Sequence, residues 1–148
     1  VDSLRDFELV ANGDPSAVEF ACVVFKFLHE IDDAWDMDQP LSKEFFVRTM
    51  LEMVVVLAKN HFWLAHRSAL FGLLQLAFLG WEAGDEWKAR TGHDRVAAEV
   101  IKSAYKQILW FVAVQCHGLD GARAVKQQLE CFNYDLEDSN VLPAPQYV

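Results

Sequence analysis

Residues 15–36 read PSAVEFACVVFKFLHEIDDAWD. Phe20, Val24, Phe27, Leu28, Ile31 and Trp35 recur along this stretch at the 3.6-residue spacing of one helix face. Asp14 supplies a capping side chain, and Pro15 fits the first helical position, where a missing N–H costs nothing. Asn12-Gly13 breaks the chain before it, and Asp38-Gln39-Pro40 ends it. The spacing predicts a helix from about Pro15 to Asp36.

The same period governs the neighbouring segments. Residues 1–13 form a short amphipathic entry, with one helical piece expected from Ser3 to Ala11. Ser42 caps a second long helix, about Lys43 to Ala58, with Phe46, Met50, Met53, Val54 and Leu57 as its apolar face. Arg48 and Glu52 stand four apart on the other side, as an ion pair would. Asn60 caps a third helix, about His61 to Arg90, striped by Leu70, Leu73, Leu74, Ala77, Phe78 and Trp81. Gly72, Gly80 and Gly84 either weaken that helix or admit a close neighbour. Thr91-Gly92 stops it. A fourth helix, about Asp94 to Cys116, turns Val100, Ala104, Ile108 and Phe111 inward and Glu99, Lys102 and Lys106 outward. Gly118 ends it, and a last helix, about Asp120 to Phe132, carries Ala122, Val125 and Leu129. No segment alternates as a half-buried strand does. Short links between long helices imply antiparallel neighbours. The expected fold is all-α, an antiparallel bundle of four to five helices. The entry segment would occupy 1–13, one helical domain 14–132, and a polar, proline-containing tail 133–148.

Composition supports one sizeable core: the 148 residues are 53% hydrophobic and 13% aromatic. The net charge of −9, with no basic run, argues against nucleic acid and anionic membranes as partners. The longest uncharged runs, Ser68–Trp81 and Gln107–Leu119, fall short of a bilayer-spanning helix. Residues 1–13 carry Asp2, Arg5, Asp6 and Glu8, unlike a secretory signal. Cys22, Cys116 and Cys131 are dispersed and suit a reducing compartment, so the expected location is the cytoplasm.

The chemistry-bearing residues gather at one predicted helix end. His29, Asp32, Asp33 and Asp36 share an arc that holds the apolar Val18, Cys22 and Phe25 earlier in the same helix. With Asp38, these carboxylates sit at a helix C-terminus, where the macrodipole disfavours negative charge and a cation would relieve it. An up-down-up order of helices brings Glu82, Asp85 and Glu86 to the same end, with His93 and Asp94 beside them. Asp32, Asp33, Asp36, Glu82 and Asp85 are therefore the candidate metal ligands, with His29 and Glu86 as further ones. Such an oxygen-rich set suits Mg²⁺ or Mn²⁺. Arg48, Lys88, Arg90 and Arg95 lie near enough in sequence to receive a phosphate. His66 reads as a core or capping histidine, and His61 and His117 as helix-end residues. The aromatic stripes read as core.

Asp32-Asp33-Ala34-Trp35-Asp36 resembles the DDxxD pattern of isoprenyl diphosphate synthases, whose carboxylates hold Mg²⁺ on a diphosphate. This chain is too short for the large helical cavity of that fold. Asp33-x-x-Asp36 and Glu82-x-x-Asp85 loosely resemble the ExxE…ExxD arrangement of all-α nucleoside-triphosphate pyrophosphohydrolases, at a different spacing. A longer resemblance, over roughly Val18 to Gln127, is to small uncharacterised proteins of tailed phages and prophages. It rests on Asp32, Asp33, Asp36, Asp38, Asn60, Phe62, His66, Leu70 and Trp81, with the later stretch Val100-Ile101-Lys102-Ser103-Ala104-Tyr105. It implies a phage-related origin and no particular activity.

Two functions follow as expectations. One is a non-catalytic helical accessory or interaction module whose acidic end is a surface or docking patch, with a second copy or another protein as partner. The other is a Mg- or Mn-dependent hydrolase or diphosphate-binding enzyme acting on a phosphorylated small molecule, in which Asp33 or Asp36 orients a water. The first is favoured because no complete catalytic constellation assembles from the sequence.

Overall fold

The computed structural model describes residues 4–35, 42–88, 92–126 and 129. All the regular structure among them is helical. Helices α1 (Leu4–Val10), α2 (Pro15–Trp35), α3 (Lys43–Lys59), α4 (His61–Lys88), α5 (His93–Lys102) and α6 (Gln107–Ala124) follow in order, with a 3₁₀ turn at Ser103–Lys106. The fold is all-α, as the periodicity requires. Asp36, Asp38, Arg90, Cys131 and the tail 133–148 lie outside the described residues, as do the side chains of Trp35, Lys88 and Glu99.

Local chemistry sets the helix starts. The Asp14 carboxylate accepts hydrogen bonds from the Ser16 and Ala17 amides, at 2.9 and 3.1 Å, and from the Ser16 hydroxyl at 2.8 Å. Ser42 Oγ accepts from the Phe45 amide at 3.1 Å. Asn60 is fully buried at the α3–α4 corner, and its side chain is satisfied on both sides. Its Oδ1 accepts from the Trp63 amide at 2.8 Å, while Nδ2 donates to the Ser16 carbonyl and to Glu19 Oε1 at 2.8 and 3.0 Å. One asparagine thus caps α4 and ties that corner to the start of α2.

The core gathers Phe7 and Val10 of α1, Phe20, Val24 and Phe25 of α2, Leu70 of α4, and Ile108, Leu109 and Val112 of α6. The entry segment is therefore packed: α1 lies on α2 and α6. His117 Nε2 meets the Leu9 carbonyl at 2.7 Å, and Asn12 Nδ2 donates to the Cys116 carbonyl at 3.3 Å. His66 sits between the rings of Phe62 and Phe111, a core histidine as read.

Helices α4 and α5 form the closest pair. A Cβ built on Gly80 would lie 2.7 Å from the Ile101 carbonyl oxygen, and one on Gly84 would lie 2.8 Å from that of Ala98. These glycines, four apart, let two backbones nearly touch. Gly72 has open space where its Cβ would be.

Several side-chain assignments differ from the sequence reading. The predicted fourth helix is α5, the 3₁₀ turn and α6 in series. A 3₁₀ turn advances about 120° per residue against 100° in an α-helix, so four residues shift the phase by roughly 80°. Val100 accordingly faces out, while Lys106 is buried and Lys102 turns inward. On α3 the core-facing residues are Thr49 and Met53, whereas Phe46, Met50 and Val54 are exposed. Glu52 pairs with Lys26 of α2 at 3.1 Å, and the Arg48 guanidinium lies over the Phe45 ring. Phe78 also faces outward. Helix α6 contains a kink at Gly118, whose φ of 74° and ψ of 172° are accessible almost only to glycine, so the break read at that residue is present.

Candidate functional site

The ends of α2 and α4 meet the end of α5, and four of their side chains converge there. The Trp81 indole N–H donates to Asp32 Oδ1 at 2.7 Å. Lys102 Nζ lies 3.5 Å from that same oxygen and 3.5 Å from Asp85 Oδ1. The ammonium also sits 5.9 Å from the Trp81 ring centroid, within cation–π range. Side-chain exposure is 15% for Lys102, 22% for Asp85 and 41% for Asp32, so the cluster is half-buried. The juxtaposition of Asp32 with Asp85 is the one expected from an up-down-up order.

The other candidate ligands are more open. Asp33, His29, Glu82 and Glu86 are exposed, and Asp36 lies outside the described residues. Among the described residues, no group of three or more His, Cys, Asp or Glu is gathered closely enough to hold a metal ion. The chemistry of the donor set explains what Asp32 and Asp85 do instead. Two carboxylates share a cation that the chain itself supplies, and a dication placed between them would have to expel the Lys102 ammonium. The Asp32–Asp85 pair therefore fits a lysine better than Mg²⁺ or Mn²⁺.

Sequence reasoning placed Lys102 on the solvent side and Trp81 in the core stripe. Asp85, four residues after Trp81 and on the same face, was the available signal that this stripe ends in a polar contact. The 3₁₀ turn at Ser103–Lys106, unmarked by glycine or proline, is what puts Lys102 on the inward side relative to α6.

The described thiols offer no nucleophile. Burial, reinforced by the negative charge of Asp14, pushes the Cys116 thiol up to about 11. Burial, with Glu8 as a smaller influence, also raises that of Cys22. Both are poor nucleophiles near neutral pH.

A second surface feature is apolar. Helix α3 presents Phe46, Val47, Met50, Leu51, Val54 and Val55 to solvent, and a shallow groove of about 700 Å³ runs past Val47, Leu51 and Val55. Helix α4 is long and apolar enough to cross a membrane by length and composition, and little of that stretch is buried. Its exposed side nonetheless carries Arg67, Gln75, Glu82 and Glu86 along with Phe71, Leu76 and Leu79.

No protein-family model, curated protein or solved structure matches the chain.

Proposed function

We propose that this chain is a non-catalytic helical interaction module of the cytoplasm, an accessory protein of the kind encoded by tailed phages and prophages. The observation that carries the interaction reading is the apolar face of α3, six large side chains left in water by a protein whose core lies elsewhere. Contiguous apolar patches of that size mark contact surfaces. The clasp of Lys102 between Asp32 and Asp85 supports a structural role for the acidic end. The phage-related origin rests on the resemblance of residues 18–127, and the cytoplasmic location on the dispersed cysteines and on the charged residues, Arg67, Glu82 and Glu86, near the two ends of α4's outer side.

The competing reading, a Mg- or Mn-dependent hydrolase or diphosphate-binding enzyme, requires the acidic cluster to bind a dication. Thermal melting in millimolar Mg²⁺ or Mn²⁺, against a NaCl control of equal ionic strength, separates the two. The expected result is a midpoint that follows ionic strength alone. A ligand at a hundred times its Kd stabilises by about 2.7 kcal/mol, a shift of several degrees in a domain of this size. A metal-specific shift of that order, abolished by Asp32→Asn with Asp85→Asn, overturns the proposal.

A further inference from the structure

The outer surface of α3 has the pattern of a helix–helix seam. Val47, Leu51, Val54 and Ala58 follow one another at steps of four, three and four residues, the a/d spacing of a coiled coil. All four are exposed; Leu51 shows 58% and Val54 59% of its surface. The opposite side of the same helix, at Thr49 and Met53, is the side that packs on the rest of the chain. Helix α3 is thus amphipathic in the usual sense on neither side, because it has a core face and a second apolar face.

We infer that this second face pairs with α3 of a second copy of the chain, antiparallel about a two-fold axis. The reading rests on the interaction-module proposal and names its partner. Two features select a second copy. The first is the symmetry of the seam: reversing one helix sets Leu51 against Val54 of the other copy and Val47 against Ala58, and the two-fold repeats both contacts. The small Ala58 at each end permits close approach there.

The second feature is charge. In that register Glu44, in the first turn, comes beside Lys59 of the other copy, in its last turn, at both ends of the seam. Within one chain these two residues are fifteen positions apart, about 22 Å along the helix, too far to pair. An antiparallel copy brings these two opposite charges within reach of each other. Phe46, Val47, Met50, Leu51, Val54 and Val55 together expose on the order of 500 Å² of apolar surface, a large share of the roughly 800 Å² per partner of a standard interface. A lipid surface is the weaker fit, since Glu44, Arg48 and Glu52 border this face along its first three turns.

The test is sedimentation equilibrium of the full 148-residue chain at micromolar concentration. The expected mass is twice the 16.9 kDa of one chain. Leu51→Glu should give a monomer with unchanged helical circular dichroism, because residue 51 touches solvent in the single chain. Glu44→Lys and Lys59→Glu should each weaken association, by about three- to tenfold for a partly screened surface pair present twice. The double swap, Glu44→Lys with Lys59→Glu, should restore the dimer beyond either single variant. A monomer at every concentration overturns the inference, whether the face then captures another protein or binds neutral phosphatidylcholine vesicles. A dimer indifferent to Leu51→Glu, or a double swap no tighter than the singles, overturns the α3 register. Failure here leaves the metal response of the melting curve untouched, so the two readings fail separately.

Discussion

Lys102 is the residue whose position most changes the reading of the acidic end. It stands between two carboxylates and over an indole ring, joining α2, α4 and α5 through one ammonium group. Removing it leaves Asp32 and Asp85 half-buried and mutually repulsive. Lys102→Met should therefore cost roughly 1–2 kcal/mol, between the values of exposed and buried pairs, as read by urea denaturation. Asp32→Asn keeps an oxygen to accept the Trp81 N–H and should cost less than Asp32→Ala. Asp14 gives a pH-dependent counterpart. The Ala17 amide, and after it the Ser16 hydroxyl, hold the Asp14 carboxyl below its usual range. A lowered folded-state value means that the contribution to stability is complete above the unfolded carboxyl's range, near pH 4, and is lost as pH falls through the lower folded value. Asp14→Ala should lose about 0.5–2 kcal/mol at pH 7, a cost that shrinks towards pH 3, whereas Asp14→Asn should retain most of the cap at both. Denaturant midpoints at the two pH values check this.

Among the elements, the α4–α5 pair shows what a glycine is for. Gly80 and Gly84 face carbonyl oxygens of α5 at distances that forbid a methyl group without a shift of backbone. Gly72, in the same helix, faces open space. Gly80→Ala and Gly84→Ala should each destabilise by about 1–3 kcal/mol through overpacking. Gly72→Ala should stabilise by about 0.5–1 kcal/mol through helix propensity alone. Thermal melts of the three variants should thus move in opposite directions. The sequence left both meanings of these glycines open, because a glycine letter carries no information on its neighbour across the interface. Other features were legible for local reasons. Capping residues such as Asp14, Ser42 and Asn60 act within three positions, so the starts of α2, α3 and α4 could be read directly. The orientation of Lys102 and Lys106 could not, because the 3₁₀ turn at 103–106 carries no glycine or proline to mark it and offsets the inward face of α5 from that of α6. The apolar residues of α3 were legible as apolar but not as outward-facing: a period of 3.6 is the same whether the stripe meets a core or a partner.

At the scale of the whole molecule, the helices are unequally anchored. The largest fully buried apolar side chains come from α1, α2, α4 and α6, where Phe20, Phe25, Leu70, Ile108 and Leu109 form a continuous centre. Helix α3 lies at the edge on α2 and α4, and its buried side chains are Thr49 and Met53. Local opening free energies follow such differences in burial, so α3 is released from an otherwise folded chain more readily than α2 or α6. In a monomer, its amides should exchange with deuterium sooner than those of α2 and α6. Dimerisation through the outer face of α3 changes that order, because opening the helix then also breaks the seam. The expected outcome is that protection of residues 43–59 rises with protein concentration while that of α2 and α6 stays constant. In Leu51→Glu the α3 amides should exchange at the fast, dilute-limit rate at every concentration. The physical basis is mass action: a partner that binds only the folded helix stabilises it in proportion to the logarithm of the concentration over Kd. A fast-exchanging α3 indifferent to concentration would return the helix to the periphery of a monomer. Concentration-dependent protection confined to α3 would identify the edge of the single chain as the centre of its assembly.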